Sequence, residues 1–324
     1  MRSLLVVGIP NSGKSTFIAA LRHLLLADEV PTDLCLVGLS AHEAHLNKLE
    51  KEWLDCRRIE RTKPATEGWV ELHVADRKTG ADTKLLIPDL RGEVFEQPAC
   101  ISQCQSDLFD ALAQSDGILL FTNADRADDA MLIDELADIL DSELAQSEDA
   151  TLGDAQSSGT AGVVQAAHAD DGHDDATDES VQAIEQQTAN RFQPEHMPEE
   201  VKIVEFLQIA NRRPLRARCR KIAVIVSAWD LVMKDKEMTP DKWLSTRRPM
   251  LGQFLETNKD IWNSRVYGVS AQDGRLPEDK EALEKIIRPS ERIHIVGHGA
   301  DAHDITAPIG WMIHFSGGSD AVEG

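Results

Sequence analysis

Near the N-terminus, Gly8-Ile9-Pro10-Asn11-Ser12-Gly13-Lys14-Ser15-Thr16 fits the spacing G-x-x-x-x-G-K-[ST]. This pattern suits a chain of phosphates. Glycines let the backbone curl around an anion with its N–H groups pointing inward, and a following helix adds the positive end of its dipole. Lys14 would reach the β- and γ-phosphates of a nucleotide, and the Ser15 hydroxyl would ligate Mg²⁺. Gly8, Asn11, Ser12, Gly13 and Thr16 complete the cradle.

A second pattern, D-x-x-G, lies at Asp89-Leu90-Arg91-Gly92 after an apolar run. There Asp89 would hold Mg²⁺ through water, and the Gly92 N–H would meet the γ-phosphate. Glu93 follows. Its carboxylate could accept a hydrogen bond from an attacking water, although a nearby phosphate opposes its ionisation. The alternative is a Glu93 that faces solvent. Ahead of this motif, Arg57, Arg58, Arg61 and Lys63 make a basic loop. Thr66 is the choice for a threonine that ligates Mg²⁺ and senses the γ-phosphate, with Thr62 as competitor. Arg61 reads either as an internal arginine finger or as an ordinary solvated side chain.

Two later runs bear on the base. Ser227-Ala228-Trp229-Asp230 and Ser270-Ala271-Gln272 each end an apolar stretch. A carboxylate at Asp230 can accept two hydrogens from the edge of guanine, a pair that adenine cannot donate; the plainer reading is a helix cap. A backbone N–H at Ser270 or Ala271 could meet the guanine carbonyl.

These residues need a scaffold. Apolar runs predict strands at 3–7, 33–39, 69–74, 83–87, 117–121, 221–226, 265–269 and 293–296. Helical spacing predicts helices over 15–26, 41–58, 96–115, 131–144, 199–211, 240–262, 277–287 and 308–314. Runs 69–74 and 83–87 flank a turn at Gly80 and read as an antiparallel hairpin. Strands alternating with helices indicate an α/β sheet covered on both faces.

The formal charge is −22. Residues 125–200 hold 21 acids and two arginines, a net of −19, which leaves −3 for the rest. The folded body is thus near neutral, and nothing favours nucleic acid as a partner. Residues 145–195 are too polar and acidic to offset the entropy of ordering, and read as a disordered insertion. Five irregularly spaced cysteines do not make a disulfide framework. The histidine groups His42 with His45, and His294, His298 and His303, lack regular metal-ligand spacing. With no secretory signal and no run approaching the ~20 apolar residues of a membrane span, a cytoplasmic location is expected.

Taken in order, Gly8–Ser15, Thr66, Asp89–Gly92, Ser227–Asp230 and Ser270–Gln272 resemble a translation-factor-class P-loop GTPase, the group that includes Ras-like and Era-like proteins. The resemblance covers residues 1 to about 290. It implies a three-layer sandwich of Ras-like topology, mostly parallel with one antiparallel strand. The parts would be a first GTPase segment at 1–144 with a helical insertion at about 33–58, a second at 196–290, and a C-terminal extension at 291–324. It implies GTP and GDP as ligands, Mg²⁺ as cofactor, and a potassium ion at Asn11 unless Asn11 is a plain turn residue.

More narrowly, the Pro10–Thr16 loop, the helical segment before Thr66, Pro88–Glu93 and Asp304-Ile305-Thr306-Ala307-Pro308 look like bacterial double-GTPase proteins. That likeness implies a molecular switch in a bacterial conflict or defence system, beside a second GTPase and an activating partner. The sequence departs from the pattern N-K-x-D, with Ser227 for the asparagine and Ala228 for the lysine. Weaker nucleotide affinity, or a substitute base contact from Trp229, is the expected result. The rival readings are a nucleotide-stabilised scaffold without turnover, and a P-loop ATPase or small-molecule kinase.

Overall fold

The computed structural model describes residues 2–38, 43–59, 69–88, 93–125, 197–212, 215 and 219–314. The chain divides into two units, residues 1–130 with 197–324, and residues 131–196. Every described residue belongs to the first. The helix expected at 131–144 and the acidic stretch at 145–195 lie outside the described residues.

The strands are β1 (Arg2–Gly8), β2 (Leu34–Gly38), β3 (Trp69–Asp76), β4 (Asp82–Pro88), β5 (Gly117–Asn123), β6 (Arg220–Ser227), β7 (Trp262–Ser270) and β8 (His294–Val296). They form one sheet in the order β2-β3-β4-β1-β5-β6-β7-β8. β4, β1, β5, β6 and β7 pair in parallel. β3 runs antiparallel to both β2 and β4, which is the expected hairpin strand. β8 also opposes its neighbour β7. Two strands therefore run against the rest where one was expected. A three-residue run carries no sign of its direction.

The parallel strands are apolar at nearly every position because both faces of the sheet are covered. Successive side chains point to opposite faces. Leu4 and Val6 join one core with Leu119, Phe121, Ala223 and Ile225. Leu5 and Val7 join the other with Ile118, Leu120, Ile222 and Val224. Helices α1 (Lys14–Ala27) and α2 (Glu43–Leu54) cover the first face. Helices α3 (Glu93–Ile101), α4 (Ser106–Gln114), α5 (Glu199–Ala210), α6 (Pro240–Arg247) and α7 (Pro249–Thr257) cover the second. A one-turn helix α8 (Lys280–Leu283) follows, and α9 (Ala307–Ile313) returns to the first face. Each fully buried Leu, Ile or Val contributes about 1.5–3 kcal/mol, so this double core fixes the strand ends that carry the motifs.

Two expected helices are each split. The span 96–115 breaks at Ser102, whose φ of 55° lies in the left-handed region. The span 240–262 breaks at Arg248 (φ −136°, ψ 61°) ahead of Pro249, since a residue before proline is driven out of the helical region. Trp262 starts β7 and does not end a helix. The buried Arg248 guanidinium meets Glu199 Oε2 at 2.9 Å. Glu200 Oε2 accepts from the Met250 N–H at 3.0 Å, where α7 begins. At 277–287 only α8 is helical.

The C-terminal residues join the same body. Asp304 Oδ2 accepts from the Asp33 N–H at 2.8 Å, and its Oδ1 accepts from the Thr306 N–H at 2.9 Å. Burial pushes the Asp304 carboxyl up, against these hydrogen bonds.

Candidate functional site

β1 delivers the chain to Gly8, and α1 opens at Lys14. The turn between them needs left-handed backbone at Asn11 (φ 61°) and Gly13 (φ 86°). Gly13 has a second reason to lack a side chain, because a Cβ there would fall 2.6 Å from Ser227 Cβ. A Cβ on Gly8 would fall 2.5 Å from Ser12 Oγ and 2.9 Å from Phe121 Cβ. The loop is therefore pressed against the ends of β5 and β6.

Its Lys14 Nζ donates to the carbonyls of Gly8 (2.5 Å) and Ile9 (2.8 Å) and to Ser12 Oγ (3.2 Å). The ammonium also lies 5.6 Å from the ring centroid of Phe95, which brings the head of α3 beside the loop. The first N–H groups of α1 have no partner within their own helix. Together with the dipole they form an anion site. Among the described residues, the hydroxyls of Ser15 and Thr16 have no hydrogen-bond partner.

The ends of two neighbouring strands hold this loop from outside. Ser227 Oγ, at the end of β6, lies 2.9 Å from the Ser12 carbonyl and 3.2 Å from that of Thr122. Its one proton is shared between them. Asn123 Nδ2, at the end of β5, donates to the Asn11 carbonyl at 2.9 Å, while Asn123 Oδ1 accepts from the Asp125 N–H at 2.8 Å. Asn123 was missed in the sequence. Its signal was its place as the last residue of an apolar parallel strand, where α/β sheets put their ligands.

A pocket opens beside the loop. Gly13 and Thr16 line it together with Ser227, Asp230, Ser270 and Ala271. Asp230 sits in a short 3-10 turn, Trp229–Leu231. Its Oδ1 accepts from Ser270 Oγ at 2.8 Å, and Ser270 Oγ in turn accepts from the Asp273 N–H at 2.9 Å. This relay orients the carboxylate. At the mouth, Asp125 and Arg275 form an exposed pair at 3.5 Å.

Trp229, the expected substitute base contact, does not line this pocket. Its ring is 2% exposed and packs on β7, where a Cβ on Gly268 would fall 2.2 Å from Trp229 Cδ2. Leu231 and Arg275 line the pocket instead. Thr62, Thr66, Arg61, Lys63, Asp89 and Gly92 lie outside the described residues, and Glu93 is described only as the first residue of α3. Of the C-terminal histidines, the ring centroids of His294 and His303 lie 4.9 Å apart, and each of the three has its own polar partner. His294 pairs with Asp273 at 3.2 Å, His298 Nε2 accepts from the Val266 N–H at 3.3 Å, and His303 Nδ1 contacts the Ile293 carbonyl at 2.6 Å.

A loop for phosphates and an oriented carboxylate thus share one pocket at the carboxyl ends of parallel strands. In agreement, the family model described as Double-GTPase 1 matches residues 5–312. The chain belongs to the Double-GTPase 1 family. The match spans both sides of residues 131–196 and takes in β8 and α9. Membership makes this a GTPase-family chain and bears out the resemblance drawn from the motifs.

No curated protein matches the chain. Among solved structures, a bacterial selenocysteine-specific elongation factor, EF-Sec, is similar over 88% of this chain and 28% of its own, at 11% identity and a TM-score of 0.32. The chain thus spans under a third of that protein, and so loose a likeness carries no further argument. Among the described residues, no helix is long and apolar enough to cross a membrane.

Proposed function

We propose that this Double-GTPase 1 member binds GTP in the pocket between Gly13 and Asp230, hydrolyses it to GDP and phosphate, and works as a switch. One observation carries the reading: the phosphate loop and the Asp230–Ser270 pair line the same pocket, with Ser227 hydrogen-bonded to the loop. Asp230 accepts from the guanine edge, and the Ala271 N–H meets the guanine carbonyl. Lys14 keeps two protons on the carbonyls of Gly8 and Ile9 and presents the third to the β- and γ-phosphates. The weaker contact to Ser12 Oγ gives way.

The donor set suits Mg²⁺. A hard cation takes oxygen ligands, and Ser15 offers a hydroxyl at the head of α1 without a partner among the described residues. Thr66 and, through water, Asp89 would supply the further oxygens. Bound there, the ion would neutralise phosphate charge. Glu93 holds the attacking water, and Arg61 or an arginine from a partner relieves charge on the γ-phosphoryl group. The γ-phosphate orders the segments around Thr66 and Gly92, and its loss releases them. A second GTPase or an activating protein of a bacterial defence system reads that difference in the cytoplasm. A potassium ion at Asn11 fits the same chemistry.

Phosphate release from GTP and ATP, with Mg²⁺, in potassium and in sodium, tests the reading. GTP-selective turnover that Lys14→Ala abolishes is the expected result. Binding of GTP without turnover would favour the scaffold reading, and a preference for ATP would sink the role of Asp230.

A further inference from the structure

Helix α2 lies between β2 and β3 in the chain, far from the motifs that face the base. Its last turn nevertheless reaches them. Trp53 is 1% exposed, and its Nε1 donates to the Ala271 carbonyl at 2.8 Å. One turn on, the buried Cys56 takes two donors on its sulfur, Arg292 Nη1 at 3.1 Å and Gln272 Nε2 at 3.6 Å. Burial pushes the Cys56 thiol up, so it meets them as a neutral thiol. Arg292 also lies over the Trp53 ring, 5.6 Å from its centroid, and donates to the Leu54 carbonyl at 3.3 Å.

The loop is thereby held from both sides. Ser270 Oγ fixes its start through Asp230 and the Asp273 N–H. Trp53 fixes the peptide plane that follows Ala271. The Ala271 N–H belongs to the peptide between these two anchors. A donor discriminates between bases only when it is held in place before the ligand arrives. Phenylalanine keeps an aromatic ring at this position, but it is smaller and carries no N–H donor.

We infer that Trp53 is a positioning residue for base recognition: its indole holds the Ala271 carbonyl so that the neighbouring N–H is set to meet the carbonyl of guanine. This rests on the guanine reading above. It makes the insertion helix α2 part of the specificity apparatus.

The test compares wild type and Trp53→Phe for binding of GTP, of ATP, and of the triphosphate of 2-aminopurine riboside. That analogue keeps the guanine amino group and lacks both its carbonyl and its N1–H. Wild type binding GTP no better than ATP would overturn the guanine reading itself. If wild type prefers GTP, Trp53→Phe is expected to weaken GTP about fivefold, the share of one hydrogen bond, and to leave the analogue unchanged. An equal loss for GTP and the analogue, or no loss for GTP, would overturn the role of Trp53. A second measurement needs no substitution. In the wild-type chain, exchange of the Trp53 indole proton should slow with GTP and not with the analogue; exchange indifferent to the base overturns the proposal.

Discussion

The hydroxyl of Ser227 lies 2.9 Å from the carbonyl oxygen of Ser12, so the end of β6 is fastened to the phosphate loop. An asparagine at this position would span the same gap with a longer side chain. The serine manages because the loop comes so close that Gly13 has no room for a Cβ. Ser227→Ala and Asn123→Ala each remove one hold on the loop. Each is expected to weaken GTP binding about three- to tenfold, with little change in melting temperature. Calorimetric titration checks this, and unaltered affinity in both variants would remove these residues from the site.

The Asp230 carboxylate accepts from Ser270 and faces the pocket. An amide donates where a carboxylate accepts. Asp230→Asn should therefore lower GTP affinity about a hundredfold and shift preference to xanthosine triphosphate, whose ring offers a carbonyl in place of the amino group. Competition between the two nucleotides gives the answer. Retained GTP preference would show that the base is read elsewhere.

The ion pair of Arg248 with Glu199 is nearly sealed from water, with side-chain exposures of 0% and 8%. Removing Arg248 takes this cation away from the buried Glu199 carboxylate. Arg248→Met is expected to cost about 3–5 kcal/mol of folding stability, measured by urea unfolding. A loss near zero would mean that Glu199 finds water or another partner at once.

Asp76 contributes to the pH dependence of stability. Burial opposes its ionisation, but hydrogen bonds from the Thr79 N–H and hydroxyl, from His314 and from the Lys78 N–H outweigh it and hold its pKa at about 2, below the ordinary 3.8. The folded value is lowered, so its contribution is complete above the unfolded value and is lost as pH falls through about 2. That contribution is on the order of 1–2 kcal/mol. Asp76→Asn should flatten the fall in unfolding stability between pH 5 and pH 1. An unchanged slope would assign the acid sensitivity to other carboxylates.

Much of the fold could be read from the chain because its parallel strands are continuous apolar runs, and Ser227 and Ser270 sit where two of those runs end. The turn from Gly8 to Lys14 was legible for the same reason, since it falls at the junction of a strand and a helix. Elements shaped by tertiary contact were less so. The break at Ser102 falls within a helical pattern that continues on both sides. The break at Arg248 did have a local sign in Pro249, yet the buried pair that uses the bend joins residues far apart in sequence. Asn123 and Trp53 touch the loops from other elements, and Gln272 reaches out of its own loop to Cys56; which residues meet in this way is not written in their spacing.

β5 and β6 are paired in register from Gly117 with Lys221 to Asn123 with Ser227, although residues 124–219 separate them in the chain. Closing so long a loop is slow, because its entropy must be spent before the pairing rewards it. Yet each doubling of its length costs only about 0.6 kcal/mol. Length at this point therefore weighs lightly on equilibrium stability and heavily on the order of assembly. β1, β4 and β5 lie within the first 123 residues and can form their pairing early. The Asp230 half of the pocket reaches them only when β6 docks, so the pocket is complete only after that long-range pairing.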